Sequence, residues 1–125
     1  MAKKQENKAK LSTTKEKANG AEIKEIKDAD FEQFVKDNKI AFVDFFAEWC
    51  MPCVMMVPVI DELAKTFSGR VAFAKMNIDE NHGTAERFKI MSIPTMIVFK
   101  KGEIAERITG ALSHDMLKEK INSCL

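Results

Sequence analysis

Cys50 and Cys53 are separated by Met51 and Pro52, and two thiols at that spacing have two chemical uses. They can supply half of a soft metal site, or they can pass electrons by exchanging one disulfide for another. Zinc requires four ligands, yet the third cysteine, Cys124, lies far along the chain, and His82 and His114 lack ligand spacing. No metal site is expected. The remaining alternatives are two inert buried thiols or a redox pair, and the setting favours the pair. The stretch FFAEWCMPC ends the apolar run Ile40–Ala47, and Pro52 fits the first turn of a helix. Cys50 therefore stands at or beside an N-cap, next to unpaired backbone N–H groups and the positive end of a helix dipole. A thiolate is stabilised there, so Cys50 is expected to have a depressed pKa and to be the attacking nucleophile. Cys53, one turn later, is placed to attack the mixed disulfide and release the substrate.

The elements around this pair follow from periodicity and breakers. AEIKEI alternates as a short strand. DADFEQFVKDN reads as a helix with Asp28 or Asp30 as N-cap, Gln33 at capping-box distance from Asp30, and Phe31, Phe34 and Val35 on one face. Ile40–Ala47 is apolar on both alternating faces except at Asp44, the pattern of a central strand covered on both sides. Pro52–Phe67 is a helix stopped by Ser68-Gly69, with a kink expected at Pro58. Arg70–Ile78 is a third strand and GTAERF a short helix. Thr95–Phe99 and Glu103–Thr109 are strands joined by a tight hairpin across Lys100–Gly102. A last helix starts at Ser113, with Leu112 and Leu117 as a hydrophobic staple and Leu117, Ile121 and Cys124 as its apolar stripe. The order β-α-β-α-β-(α)-β-β-α implies an α/β fold, a mixed sheet with helices on both faces.

With 125 residues the chain is one domain, large enough for a core without disulfide staples. Net charge is +1, which gives no strong field for nucleic acid or a membrane. Residues 1–20 carry six lysines against two glutamates and no apolar periodicity, so they read as a flexible, Lys-rich extension ahead of a domain over 21–125. The remainder holds 14 basic and 17 acidic side chains. No apolar run has the length of a signal peptide or a membrane span, and three cysteines suit a reducing compartment, so the cytoplasm is expected.

Four segments in order, VDFFAEWCMPC, KMNIDEN, SIPT and TGALS, resemble the thioredoxin family over about residues 21–125. The resemblance implies a sheet of about five strands in the order 1-3-2-4-5. It implies that Cys50 and Cys53 form a redox-active disulfide, with Cys50 the nucleophile and Cys53 the resolving thiol. Asp44 would be the buried proton acceptor behind them, Lys75 a tuning cation near it, and Pro94 a cis proline facing the disulfide. Trp49, Met51, Pro52, Ile93, Pro94 and Gly110 would line the groove for substrate backbone. The chain departs from the family pattern at Met51, Phe46 and Val54, where Gly, Trp and Lys are common. The pair between the cysteines tunes redox poise, so Met51 bears on potential rather than on the chemistry.

Asp44 is the one of these residues for which the strand pattern speaks independently. It shares a face with Phe42 and Phe46, so desolvation should raise its pKa. Met51 and Met91, beside the two active loops, are adaptable surface for a partner. The leading expectation is a monomeric protein disulfide reductase without a cofactor. It would act on disulfide-containing proteins and be recharged by a thioredoxin-reductase-type donor, because the chain holds no G-x-G-x-x-G loop. The alternatives are a non-catalytic binding or assembly module and a more oxidising disulfide oxidase or isomerase.

Overall fold

A computed structural model describes residues 22–125. The Lys-rich segment 1–20 lies outside the described residues. The elements are β1 (Ile23–Glu25), α1 (Asp28–Asp37), β2 (Ile40–Phe46), α2 (Met51–Thr66), β3 (Ala72–Asn77), α3 (His82–Arg87), β4 (Thr95–Lys100), β5 (Glu103–Thr109) and α4 (His114–Asn122). The sheet order is β1-β3-β2-β4-β5. Strands β1, β3 and β2 are parallel, whereas β4 is antiparallel to both β2 and β5. The mixed sheet expected from the element order is observed, with the strand order that the thioredoxin resemblance implies.

The central strand explains how both faces are filled. Side chains alternate along β2, so Phe42 meets Met56, Ile60 and Leu63 of α2 and Leu117 and Ile121 of α4 on one face. Val43 and Phe45 meet Phe31 and Val35 of α1 on the other. Phe42 has no exposed surface, and its truncation to Ala is expected to cost about 3–5 kcal/mol. Helix α2 runs on through Pro58, which has no N–H to donate to the Val54 carbonyl.

Two local features differ from, or sharpen, the sequence reading. The N-cap of α1 is Lys27, not Asp28 or Asp30. Asp30 instead accepts from the Lys27 backbone N–H at 3.0 Å, and Gln33 bonds Asp37 one turn on. Asp28 is drawn across the fold, where its carboxylate accepts from the backbone N–H groups of Gly83 (3.1 Å) and Thr84 (2.8 Å) at the start of α3. It caps a neighbouring helix rather than its own. In the β4–β5 hairpin, Lys101 and Gly102 have φ of 55° and 83°, the left-handed pair that a two-residue type I′ turn demands. The final helix starts as expected, with the Ser113 hydroxyl accepting from Met116 N–H at 3.3 Å.

Candidate active site

Strand β2 ends at Phe46, and four residues later α2 begins with Cys50 as its N-cap. Pro52 sits in the first turn, where its missing N–H removes nothing the helix needs. Cys50 and Cys53 are joined as a disulfide with Cα atoms 5.3 Å apart. Both are buried, in a small apolar cluster with Ala47 that Phe46, Ile78 and Ile93 pack against. The Cys53 backbone N–H donates to Cys50 Sγ at 3.2 Å, so an orphan donor of the helix start is aimed at this sulfur. The Ile93 carbonyl oxygen lies 3.8 Å from the same atom.

Ile93 belongs to the loop opposite. The Ile93–Pro94 peptide is cis, and the loop is tied down by Thr95 Oγ1 donating to Ser92 O at 2.7 Å. Gly110 N–H donates to Pro94 O at 2.8 Å from a backbone with φ of +95°, a conformation natural to glycine. Between this loop and the start of α2 runs a groove of about 370 Å³ lined by Trp49, Cys50, Met51, Pro52, Ile78, Ile90, Met91, Ser92 and Ile93. Pro94 and Gly110 stand outside that lining; Pro94 is buried and Gly110 half-buried. The rim is apolar and open to solvent, with Met91 91%, Trp49 72% and Met51 66% exposed.

Asp44 lies on the α2 side of the sheet, paired in register with Lys75 on β3 and Met96 on β4. It is buried, and its Oδ1 has no hydrogen-bond partner among the described residues. Burial pushes its pKa up to about 7, against a smaller opposing pull from the Lys75 charge. Lys75 Nζ is placed over the Phe46 ring, 5.5 Å from its centroid. Cys124, the free thiol, follows α4, is buried in the core and belongs to a different cluster from the cysteine pair.

Two residues near the site are not singled out by sequence reasoning. Asp79 Oδ2 accepts from the Trp49 indole N–H at 2.8 Å and so holds the exposed ring at the groove edge. Asp79 is itself held by its backbone N–H, which donates to Asn77 Oδ1 at 2.9 Å. Arg107 on β5 reaches the carbonyls of Phe88 (2.6 Å) and Lys89 (3.0 Å), in the turn just before the groove wall. Both are polar residues on exposed segments, and no periodicity or spacing marks them.

A strand-to-helix disulfide facing a cis-proline loop across an apolar groove is the arrangement of a thiol-disulfide oxidoreductase. The Thioredoxin family model matches residues 22–123, and the chain belongs to that family. It is 44% identical over 103 residues to thioredoxin of Haemophilus influenzae, covering 82% of this chain and 96% of that one. It is 43% identical over 105 residues to the chloroplastic M-type thioredoxin of Spinacia oleracea, covering 83% of this chain and 58% of that one. Among solved structures, a mutant thioredoxin from Halobacterium salinarum NRC-1 superposes with a TM-score of 0.77 at 32% identity, covering 86% of this chain and 95% of that one.

Proposed function

We propose that the protein is a general protein disulfide reductase, recharged by a separate thioredoxin-reductase-type donor. The observation that carries this reading is Cys50 at the α2 N-cap, its sulfur 3.2 Å from the Cys53 N–H and beside an open apolar groove. In the dithiol form that N–H stabilises negative charge on Cys50 Sγ. The Cys50 thiolate attacks one sulfur of a partner's disulfide. A mixed disulfide forms, the partner's S–S bond breaks, and one partner thiolate leaves. Asp44 accepts the Cys53 proton, for which a pKa of about 7 suits it at neutral pH. Cys53 then attacks Cys50 Sγ and expels the second partner thiolate. The partner has gained two electrons and the Cys50–Cys53 disulfide is restored.

In this reading Trp49, Met51, Pro52 and Ile93 form the surface along which the partner's backbone lies. Pro94 and Gly110 support it from behind through their 2.8 Å hydrogen bond. Lys75 tunes Asp44 electrostatically. The working compartment is the reducing cytoplasm, to which a buried unpaired Cys124 is suited. No described helix is long and apolar enough to cross a membrane, and the name of the spinach relative is a reminder that an organelle can house the same chemistry. The test is turnover of insulin disulfides with dithiothreitol as electron source. Precipitation of reduced insulin, accelerated by the protein and abolished in Cys50→Ser, is the expected result. A protein that binds insulin without accelerating its reduction is a binding module instead.

A further inference from the structure

The wall of the groove opposite the cysteines hangs from an unusual helix end. Helix α3 stops at Arg87, and the chain reverses through Phe88 and Lys89. Lys89 N–H donates to Glu86 O at 3.0 Å and Ile90 N–H to Ala85 O at 2.9 Å, the paired bonds of a Schellman motif. That motif needs a left-handed residue where Lys89 stands, and Lys89 has φ of +52°. Glycine occupies this position without strain; for a lysine the Cβ crowds the following carbonyl, so the conformation is strained. Something must hold the turn in place. The next residues are Ile90, Met91, Ser92 and Ile93, all of which line the groove.

We propose that Arg107 is a positioning residue for disulfide exchange, a two-pronged clamp that keeps the Ile90–Ile93 wall at its proper distance from Cys50. The inference rests on the reductase reading of this site. Arg107 projects from β5, where it pairs with Ile97, so its backbone is anchored in the sheet. Its Nη1 donates to Phe88 O at 2.6 Å and its Nη2 to Lys89 O at 3.0 Å. A planar guanidinium can hold two successive carbonyls at once, which an ammonium cannot reproduce. The turn has a second anchor beneath it, since the Phe88 ring lies 5.3 Å from Phe31 and 5.5 Å from Phe99. Phe88 fixes the depth of the turn in the core. Arg107 fixes the side of it that faces outward, from which Met91 and Ile93 follow. Because Arg107 touches no reacting atom, its effect reaches Cys50 only through the wall that a polypeptide would press against.

Arg107→Ala, Arg107→Lys, Lys89→Gly and the double variant Arg107→Ala/Lys89→Gly are compared in the full chain. Three measurements are made: steady-state reduction of insulin, reduction of the small disulfide cystamine, and amide hydrogen exchange at Lys89 and Ile90. Arg107→Ala is expected to raise KM for insulin roughly fivefold while leaving kcat and the cystamine rate unchanged, the pattern of lost uniform binding. Exchange at Lys89 and Ile90 should rise about tenfold as the turn opens more often. Arg107→Lys should fall between, and the double variant should recover, because glycine removes the strain that the clamp opposes. Unchanged insulin kinetics or unchanged exchange in Arg107→Ala overturns the proposal. So does an equal loss with cystamine, or failure of Lys89→Gly to rescue. If the unsubstituted protein reduces neither disulfide, the reductase reading fails, and amide exchange still decides whether Arg107 holds the turn.

Discussion

Asp44 and Lys75 face each other directly across β2 and β3, yet the lysine amine sits over the Phe46 ring and Asp44 Oδ1 has no hydrogen bond among the described residues. Desolvation therefore outweighs the neighbouring charge and sets the carboxyl pKa at about 7. The sign of its effect on stability follows by linkage. Below the unfolded value, ~4, the group is neutral in both states and imposes no penalty. Between there and about 7 only the unfolded chain readily releases the proton, so stability falls as pH rises, and above about 7 the full penalty applies. Asp44→Asn should accordingly be more stable than the parent by about 2–4 kcal/mol at pH ~8, with little difference at pH ~4. Its resolution of mixed disulfides should be slower if Asp44 accepts the Cys53 proton as proposed. Denaturant titrations across this range, paired with single-turnover exchange rates, check both halves. Equal stability at alkaline pH would mean that Asp44 is solvated.

Replacing Lys75 by Met should act on the same group in a defined direction. Removal of the cation takes away the influence that lowers the Asp44 pKa, so the pH at which stability levels off should move upward. A downward movement, read from the same titrations, would contradict the assignment of Lys75 as a tuning residue.

Cys53→Ser should leave Cys50 able to attack but unable to be released, so partner proteins accumulate on Cys50 as stable mixed disulfides. Non-reducing electrophoresis and peptide mapping read the result. Adducts that form faster on Cys53 when Cys50 is the one replaced would reverse the two roles.

Cys124→Ala should cost about 1 kcal/mol and no turnover. The thiol is 6% exposed among Phe67, Leu117 and Ile121, and burial raises its pKa, so it is packed and unreactive. A folded variant with lost activity would implicate a third thiol.

Residues 1–20 carry six lysines, two glutamates and no apolar pattern. Their removal is expected to leave the melting temperature and the rate of disulfide exchange unchanged. A large drop in either would show that the segment docks on the domain.

What can be read from the sequence is set by local physics. Ile40–Phe46 is apolar on both faces because helices cover both, and Cys50 precedes Pro52 because a helix starts there. Those patterns need no knowledge of distant residues. The N-cap of α1 is not where the local pattern puts it, because Asp28 has a better use elsewhere, at two N–H groups of α3 that only the folded chain brings near. Arg107 and Asp79 are hidden for the same reason. Each is an exposed polar side chain whose partner, Phe88 O, Lys89 O or the Trp49 indole, is distant in sequence. The left-handed Lys89 is also illegible, since a lysine carries no turn signal of the kind that glycine would.

As a proposed reductase pair, Cys50 and Cys53 donate electrons to disulfides rather than take them. Equilibrating the protein with a glutathione couple and quantifying the dithiol and disulfide forms after acid quenching tests it most directly. The dithiol is expected to reduce glutathione disulfide, with the balance lying toward oxidised protein and reduced glutathione. A pair that stays dithiol under these conditions, or whose disulfide is reduced by glutathione alone, would make the protein an oxidant and overturn the reductase reading.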